Sequence, residues 1–339
     1  MSGPALDEER LAGAAERHFG EPIRIEAVRQ LSGGASRETW AFDAVTVGGD
    51  RHPLVLRRDP GAHAGTSDRG VEYALLEAAH RGGVSVPAVC FFLDPGDALG
   101  SGFVMERVEG ETIPRRILRD DAYAAARPLL ARQCGEQAAR IHALDPARLP
   151  TLAVQGAREQ IALYRGYLDG FGEPHPAFEL GLRWLDEHAP PDPPQPALVH
   201  GDFRNGNLVV GPDGLRAVLD WELAHLGDPV EDLGWLCVKS WRFGVTGQRV
   251  GGFGSVDDLL AAYRAAGGGD VDPRELRYWE AMGTLKWGVI CEIQAFTHLE
   301  GAVRSVELAT LGRRVAEMEW DLLELLDPAD GATEAKREG

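Results

Sequence analysis

Between Leu198 and Leu236 the chain reads LVHGDFRNGNLVVGPDGLRAVLDWELAHLGDPVEDLGWL, and this stretch restricts the fold more than any other. Leu198-Val199 closes an apolar segment, His200-Gly201-Asp202 makes a tight polar turn, and Asn207 follows Asp202 by five positions, ahead of Leu208-Val209-Val210. Pro212-Asp213-Gly214 is a hairpin-turn signal, so the next short strand, Ala217-Val218-Leu219, runs back antiparallel. It delivers Asp220 to the edge that already carries Asp202 and Asn207. Three hard oxygen donors then converge on one loop. Such a set suits magnesium and bound phosphates, and hence phosphoryl transfer, where a protein mainly positions reactants and cancels developing charge. In this reading Asp202 accepts or orients the proton of an attacking hydroxyl, Asn207 holds a metal ion, and Asp220 bridges metal and nucleotide.

With 339 residues and 44% hydrophobic content the chain can bury a substantial core, as one large or two small domains. Its formal charge of −18 argues against a nucleic-acid backbone or an anionic membrane as main partner, since those surfaces attract basic patches. Cys90, Cys134, Cys237 and Cys291 are widely spaced with no C-x-x-C pair, which reads as reduced core thiols. No apolar run approaches the ~20 residues needed to span a bilayer. The opening MSGPALDEER lacks the layout of a signal peptide, so the expected address is cytoplasmic.

Before the central stretch the chain reads as mostly strand. Residues 5–19 form an amphipathic helix, and a strand from Ile23 to Leu31 leads into Ser32-Gly33-Gly34-Ala35-Ser36-Arg37. Glycines there let backbone N–H groups approach phosphates, and Trp40-Ala41-Phe42 completes a strand-loop-strand flap in which Ser36 and Arg37 are the candidate nucleotide contacts. A turn at Gly48-Gly49-Asp50 returns the chain into Leu54 to Arg58, where alternation puts Val55 and Arg57 on one face and Leu54 and Leu56 on the other. Thr66 or Ser67 caps a helix with Val71, Leu75, Ala78 and Ala79 at helical spacing. Val84–Pro87, Ala88–Leu93 and Phe103–Val108 read as further strand.

The later segments are helical. One long helix is expected from Asp121 to near Asp145, with His142 packing at its buried end; others cover 156–169 and 177–188, then 257–266, 273–299 and 302–326. Residues 242–256 read as an exposed glycine-rich loop of the kind that forms lids.

The order His-Gly-Asp-x-x-x-x-Asn, Leu-Asp-Trp-Glu, Gly-Asp-Pro-x-x-Asp-Leu resembles the aminoglycoside phosphotransferase family of kinase-like enzymes. It is also similar to the H-R-D-x-x-x-x-N and D-F-G elements of protein kinases, with Gly201 in place of their Arg and Trp221-Glu222 in place of Phe-Gly. The resemblance spans roughly residues 25–310 and implies an α+β, two-lobed protein-kinase-like fold. A small antiparallel lobe would occupy 1–107 and a mainly helical lobe 108–327, followed by a flexible tail at 328–339. The implied reactants are ATP with Mg²⁺ and a small-molecule hydroxyl, with neither nucleic acid nor membrane as partner. A strand cation, Arg57 or its neighbour Arg58, would hold the nucleotide phosphates. Glu72, with Glu77 as alternative, would pair with it. Main-chain atoms of Glu106, Arg107 and Val108 would meet the adenine edge, and Asp228 or Asp232 would brace the catalytic loop.

The family includes antibiotic kinases, choline and homoserine kinases, and kinase-like domains found with acyl-CoA dehydrogenases and associated with phosphorylating hydroxyacyl-CoA. Leu56-Arg57-Arg58, the His-Gly-Asp-Phe-Arg-x-Gly-Asn wording and the Tyr278 to Trp287 helix look closest to the last group. A polycationic antibiotic would need clustered carboxylates in the large-lobe pocket, whereas a CoA ester would need cations such as Arg242, Arg249 or Lys286. An aminoglycoside or macrolide kinase and a non-catalytic nucleotide-binding protein are the alternatives. The oligomeric state stays open.

Overall fold

The computed structural model describes residues 6–33, 38–59 and 69–327. Ser36, Arg37, the Thr66 or Ser67 cap and the 328–339 tail lie outside the described residues. Helix α1 (Glu8–Phe19) starts where the Asp7 carboxylate accepts the Arg10 N–H, and it stops at Gly20. Strands β1 (Ile23–Gly33), β2 (Glu38–Thr46) and β3 (Arg51–Asp59) follow, then helix α2 (Arg69–Arg81) and strands β4 (Val89–Phe92) and β5 (Ser101–Glu106). The five strands form an antiparallel sheet in the order β1-β2-β3-β5-β4.

Alternation along β3 decides which helix covers which face. Leu54 and Leu56 join Leu11, Ala14, Ala15 and Phe42 on the α1 side. Val55 joins Leu75, Leu76, Phe103 and Met105 on the α2 side, a cluster that continues into the helical lobe. At ~1.5–3 kcal/mol for each large apolar side chain buried, these two layers hold the sheet between its helices.

The chain leaves the sheet in a short crossing. The Arg107 N–H still bonds Pro53 O at 3.0 Å, and Glu111 already exchanges two hydrogen bonds with Val210 of the other lobe. That lobe contains α3 (Pro114–Arg119), α4 (Arg127–His142), α5 (Ala157–Phe171) and α6 (Pro176–Glu187). Strands β6 (Ala197–Val199), β7 (Leu208–Gly211), β8 (Gly214–Val218) and β9 (His225–Gly227) come next, then α7 (Val230–Cys237), α8 (Val256–Ala265), α9 (Pro273–Leu299), α10 (Val306–Gly312) and α11 (Val315–Leu326). The β7–β8 hairpin turns at Pro212-Asp213, and β6 pairs with β9. α9 runs through the core and packs on α7, where Gly234 meets the Trp279 side chain so closely that a Cβ would stand 2.5 Å from it.

Four expectations are corrected. Val84–Pro87 is not strand: the Val84 N–H closes α2 on Ala79 O, and the Ser85 N–H and C=O bond Gln137 and Val218 of the helical lobe. The helix expected from Asp121 begins at Arg127, after α3 and one short 3₁₀ turn. The 302–326 helix is two, interrupted after Gly312, a residue with weak helical preference. Of the 242–256 loop, only Gly244, residues 246–248 and Ser255 are exposed; Val250–Gly254 are buried. No helix among the described residues is long and apolar enough to cross a membrane.

Candidate active site

The loop between β6 and β7 carries Asp202 and Asn207. Asp202 Oδ1 accepts hydrogen bonds from Trp235 Nε1 and Arg204 Nε, both at 2.9 Å, and its Oδ2 accepts from Asn207 Nδ2 at 2.6 Å. Asn207 Nδ2 also reaches the Asp202 carbonyl at 3.0 Å, while the Asn207 carbonyl accepts the Leu219 N–H at 2.8 Å. This last bond ties the end of β8 to the loop, so that Asp220 emerges beside it. Asp220 has φ 69°, a left-handed conformation that turns the chain sharply after the strand.

From the opposite lobe Arg57 reaches Asp220 Oδ1 at 2.8 Å and Glu72 Oε1 at 3.2 Å. Burial alone would raise the Asp220 carboxyl, but the Arg57 guanidinium holds it below its usual range. Arg69, one turn before Glu72, pairs with Glu72 and with Asp59, which fixes the carboxylate from behind. Arg58 points to the other face of the sheet, where it bonds Glu38 and Leu99 O. Glu77 forms an exposed pair with Arg81. Arg57 and Glu72 are thus the pair that faces Asp220.

The loop is braced from below. Buried Asp232 accepts the His200 N–H at 2.7 Å, the Gly201 N–H at 3.0 Å and His142 Nε2 at 3.1 Å. Asp228, the other candidate brace, instead accepts from the Val230 N–H and Trp279 Nε1. His142 therefore acts locally, through Asp232 and the Tyr263 hydroxyl. Gly201 has φ 79°, and a Cβ there would stand 2.3 Å from Leu223 O, so a side chain is excluded on two grounds. His200 is a fully buried strut. Its Nε2 faces Leu219 O, which only accepts, and its Nδ1 faces the Asp202 N–H, which only donates. These partners select the neutral Nε2–H tautomer, and burial pushes the imidazole pKa down in the same direction.

The cations expected at an acyl-CoA pocket are engaged elsewhere. Lys286 donates to Gly201 O at 2.8 Å from above the Trp235 ring, and Arg242 and Arg249 both pair with buried Glu280. The buried half of the 242–256 loop supports the site too, since Gly251 O accepts Asn205 Nδ2 at 2.7 Å and the Gly251 N–H bonds Leu236 O. Arg204, Trp235 and Arg69 were not singled out by sequence reasoning. Arg69 had a usable signal, its i,i+3 spacing from Glu72. Trp235 had none, because only the docking of α7 turns its indole toward Asp202.

A cavity of about 1040 Å³ lies between the segment Lys239 to Thr246 and α11. The Arg204 guanidinium that bonds Asp202 lies 4.5 Å above the Trp241 ring, and Ser240 and Arg242 on either side of Trp241 line the cavity. Its charged lining comprises Arg115, Lys239, Arg242 and Arg314 against Glu317 and Asp321. Arg115 makes no ion pair among the described residues.

Residues 27–279 match the model of the phosphotransferase enzyme family. The chain belongs to this family. Family members are phosphotransferases, and the chain is accordingly a small-molecule kinase with the two-lobed α+β fold described above. It is 29% identical over 330 residues to acyl-CoA dehydrogenase family member 11 of Gallus gallus, covering 88% of this chain and 40% of that protein. It is 29% identical over 244 residues to family member 10 of Mus musculus, covering 68% of this chain and 22% of that one. The chain thus spans well under half the length of these relatives. Among solved structures, a Ralstonia eutropha protein superposes with a TM-score of 0.71 at 22% identity, covering 94% of this chain and 98% of the other. A spectinomycin phosphotransferase, solved with ADP and spectinomycin, gives 0.63 at 14% identity and covers 95% and 100%.

Proposed function

We propose that this kinase transfers the γ-phosphoryl group of ATP to the hydroxyl of a hydroxyacyl-CoA, with Asn207 and Asp220 as the residues that would hold Mg²⁺. The observation that carries the reading is the convergence across the cleft. Arg57 of the small lobe meets Asp220 at 2.8 Å, and Asp202 and Asn207 stand on the adjoining loop. A carboxylate offers about four acceptor directions. Trp235 and Arg204 occupy those of Asp202 Oδ1, and Asn207 takes one on Oδ2, which leaves one for the acceptor O–H. Asp202 then orients the hydroxyl and takes its proton as the new O–P bond forms and the bond from the γ-phosphorus to the β,γ-bridging oxygen breaks, with ADP leaving.

The residues present fit the magnesium-bound nucleotide. Arg57 Nε is buried without a hydrogen-bond partner, and a phosphate oxygen would satisfy it. Asn207, tied through Nδ2, has its amide oxygen left for a metal, as Asp220 has the oxygen not on Arg57. Bound Mg²⁺ would neutralise charge on the phosphoryl oxygens. The Val108 N–H makes no hydrogen bond among the described residues, which supports Val108 and the Glu106 carbonyl as main-chain contacts to adenine. For the acceptor, Arg115, the one cation of the cavity lining without an ion pair among the described residues, favours an anionic ligand over a polycationic antibiotic. The similarity to proteins named for acyl-CoA dehydrogenases points the same way.

The test is an ADP-release assay with ATP or GTP and Mg²⁺, run over hydroxyacyl-CoAs of varied chain length, aminoglycosides, macrolides, choline and homoserine. Turnover is expected with hydroxyacyl-CoA and ATP. Asp202→Asn should lose at least ~10³-fold in kcat while nucleotide affinity stays within about threefold. Turnover only with an aminoglycoside or macrolide would refute the acceptor assignment, and wild-type turnover in Asp202→Asn would refute the role of Asp202.

A further inference from the structure

A second cluster of ligating side chains lies where the α5–α6 turn meets α9 and α11. Glu173 and His175 sit in the turn between α5 and α6, and Glu292 projects from α9. One ligand atom from each falls within 4.8 Å of the others. His175 Nε2 lies 3.2 Å from Glu292 Oε1, and its Nδ1 lies 3.1 Å from Glu319 Oε1 on α11. A neutral imidazole has one N–H, so it can serve only one of these two carboxylates as a donor. The Glu292 side chain is 4% exposed, yet its Oε2 has no hydrogen-bond partner. An uncompensated carboxylate oxygen at that depth is costly. Three carboxylates surround a single imidazole, so even a protonated His175 leaves the group negative. A cavity of about 820 Å³ lined by Glu173, His175 and Glu179 gives access from solvent.

We propose that Glu173, His175 and Glu292 bind one divalent transition-metal ion of the Zn²⁺ or Mn²⁺ type. His175 Nε2 supplies the nitrogen ligand, while its Nδ1–H donates to Glu319 and fixes the tautomer, the usual arrangement behind a metal-bound histidine. Bonds of ~2.0–2.2 Å set neighbouring ligand atoms about 3.0–3.5 Å apart, and the 3.2 Å between His175 Nε2 and Glu292 Oε1 falls in that range. Imidazole among the ligands favours a transition ion over Mg²⁺. The ion ties the α5–α6 turn to the half of α9 that lies beyond Lys286, and so steadies the helix whose Lys286 holds Gly201 O.

The experiment uses the full chain, stripped with EDTA, in which Asp220→Asn has removed a proposed metal ligand of the phosphate site. Calorimetric titration and thermal melts with Zn²⁺, Mn²⁺ and Mg²⁺ are compared for this protein and for versions that add Glu173→Ala or Glu292→Gln. One Zn²⁺ or Mn²⁺ per chain is expected, bound at least tenfold more tightly than Mg²⁺. Glu173→Ala should weaken binding at least tenfold, and Glu292→Gln should abolish it. Glu173 is exposed and Glu292→Gln is isosteric, and circular dichroism checks that both remain folded. Transition ions that bind no better than Mg²⁺, or binding untouched by both substitutions, would overturn the site and leave a hydrogen-bonded acid cluster.

Discussion

Asp232→Asn tests how the catalytic loop is held. In the wild type the Asp232 carboxylate accepts from two backbone N–H groups and from His142, and all of these partners are buried. The asparagine oxygen can replace Oδ2 and keep the His200 and His142 bonds. Its NH₂ group then faces the Gly201 N–H, donor against donor, in a fully buried site. One charge-assisted bond is lost, at ~1.5–3 kcal/mol, and the others become weaker neutral ones, so a total loss of about 2–4 kcal/mol is expected. Urea denaturation measures it as a lower midpoint at unchanged slope. Because the His200-Gly201 turn positions Asp202, kcat should also fall at least ~10-fold at temperatures where the variant is fully folded. Asp228→Asn is the control. It should lose stability through Trp279 and Val230 yet keep kcat within about threefold. An Asp232→Asn midpoint equal to wild type would refute this account of the loop.

Three further outcomes follow from the same geometry. Arg57→Lys replaces a fork that spans Glu72 and Asp220 by a single ammonium, so the nucleotide KM should rise ~10–100-fold; an unchanged KM would remove Arg57 from the phosphate site. Gly201→Ala meets both a left-handed φ and Leu223 O and should cost about 2–4 kcal/mol by urea denaturation, whereas Gly244→Ala, at φ 89° with open space, should cost only ~1–2 kcal/mol. Equal losses would mean that the Leu223 contact is unimportant. The third is acid stability. Burial would raise the Asp232 carboxyl, but His142 and the His200 amide hold it below its usual range. Its contribution is therefore complete above the unfolded-state value of about 4 and is lost as pH falls through the lower folded-state value. An acid-unfolding series should show a shallower loss below about pH 4 in Asp232→Asn than in wild type, and identical limbs would exclude Asp232 as a source of that loss.

Much of the site could be read directly from local patterning. Alternation in β3 separates Arg57 from Arg58, and the Pro212-Asp213-Gly214 turn brings Asp220 back toward Asn207, because strand period and turn chemistry are properties of neighbouring residues. Helical spacing likewise put Glu72 beside the apolar stripe of α2. The Val84–Pro87 and 242–256 assignments failed for the opposite reason. Ser85 and Gly251 find their hydrogen-bond partners in Gln137 and Asn205, far away along the chain, and composition carries no trace of such partners.

The sequence by itself brought Asp202, Asn207 and Asp220 together, since each depends on spacing within one turn or hairpin. The fold class and a strand cation paired with a helix carboxylate came from the family resemblance, which left Arg57 or Arg58 and Glu72 or Glu77 open. Only the tertiary structure decided what holds that set in place. Trp235 reaches Asp202 across 33 residues, Lys286 reaches Gly201 across 85, and Arg57 reaches Asp220 across 163. Such contacts exist because α7, α9 and the sheet pack around one loop. Packing joins residues by volume and direction, which no local pattern encodes.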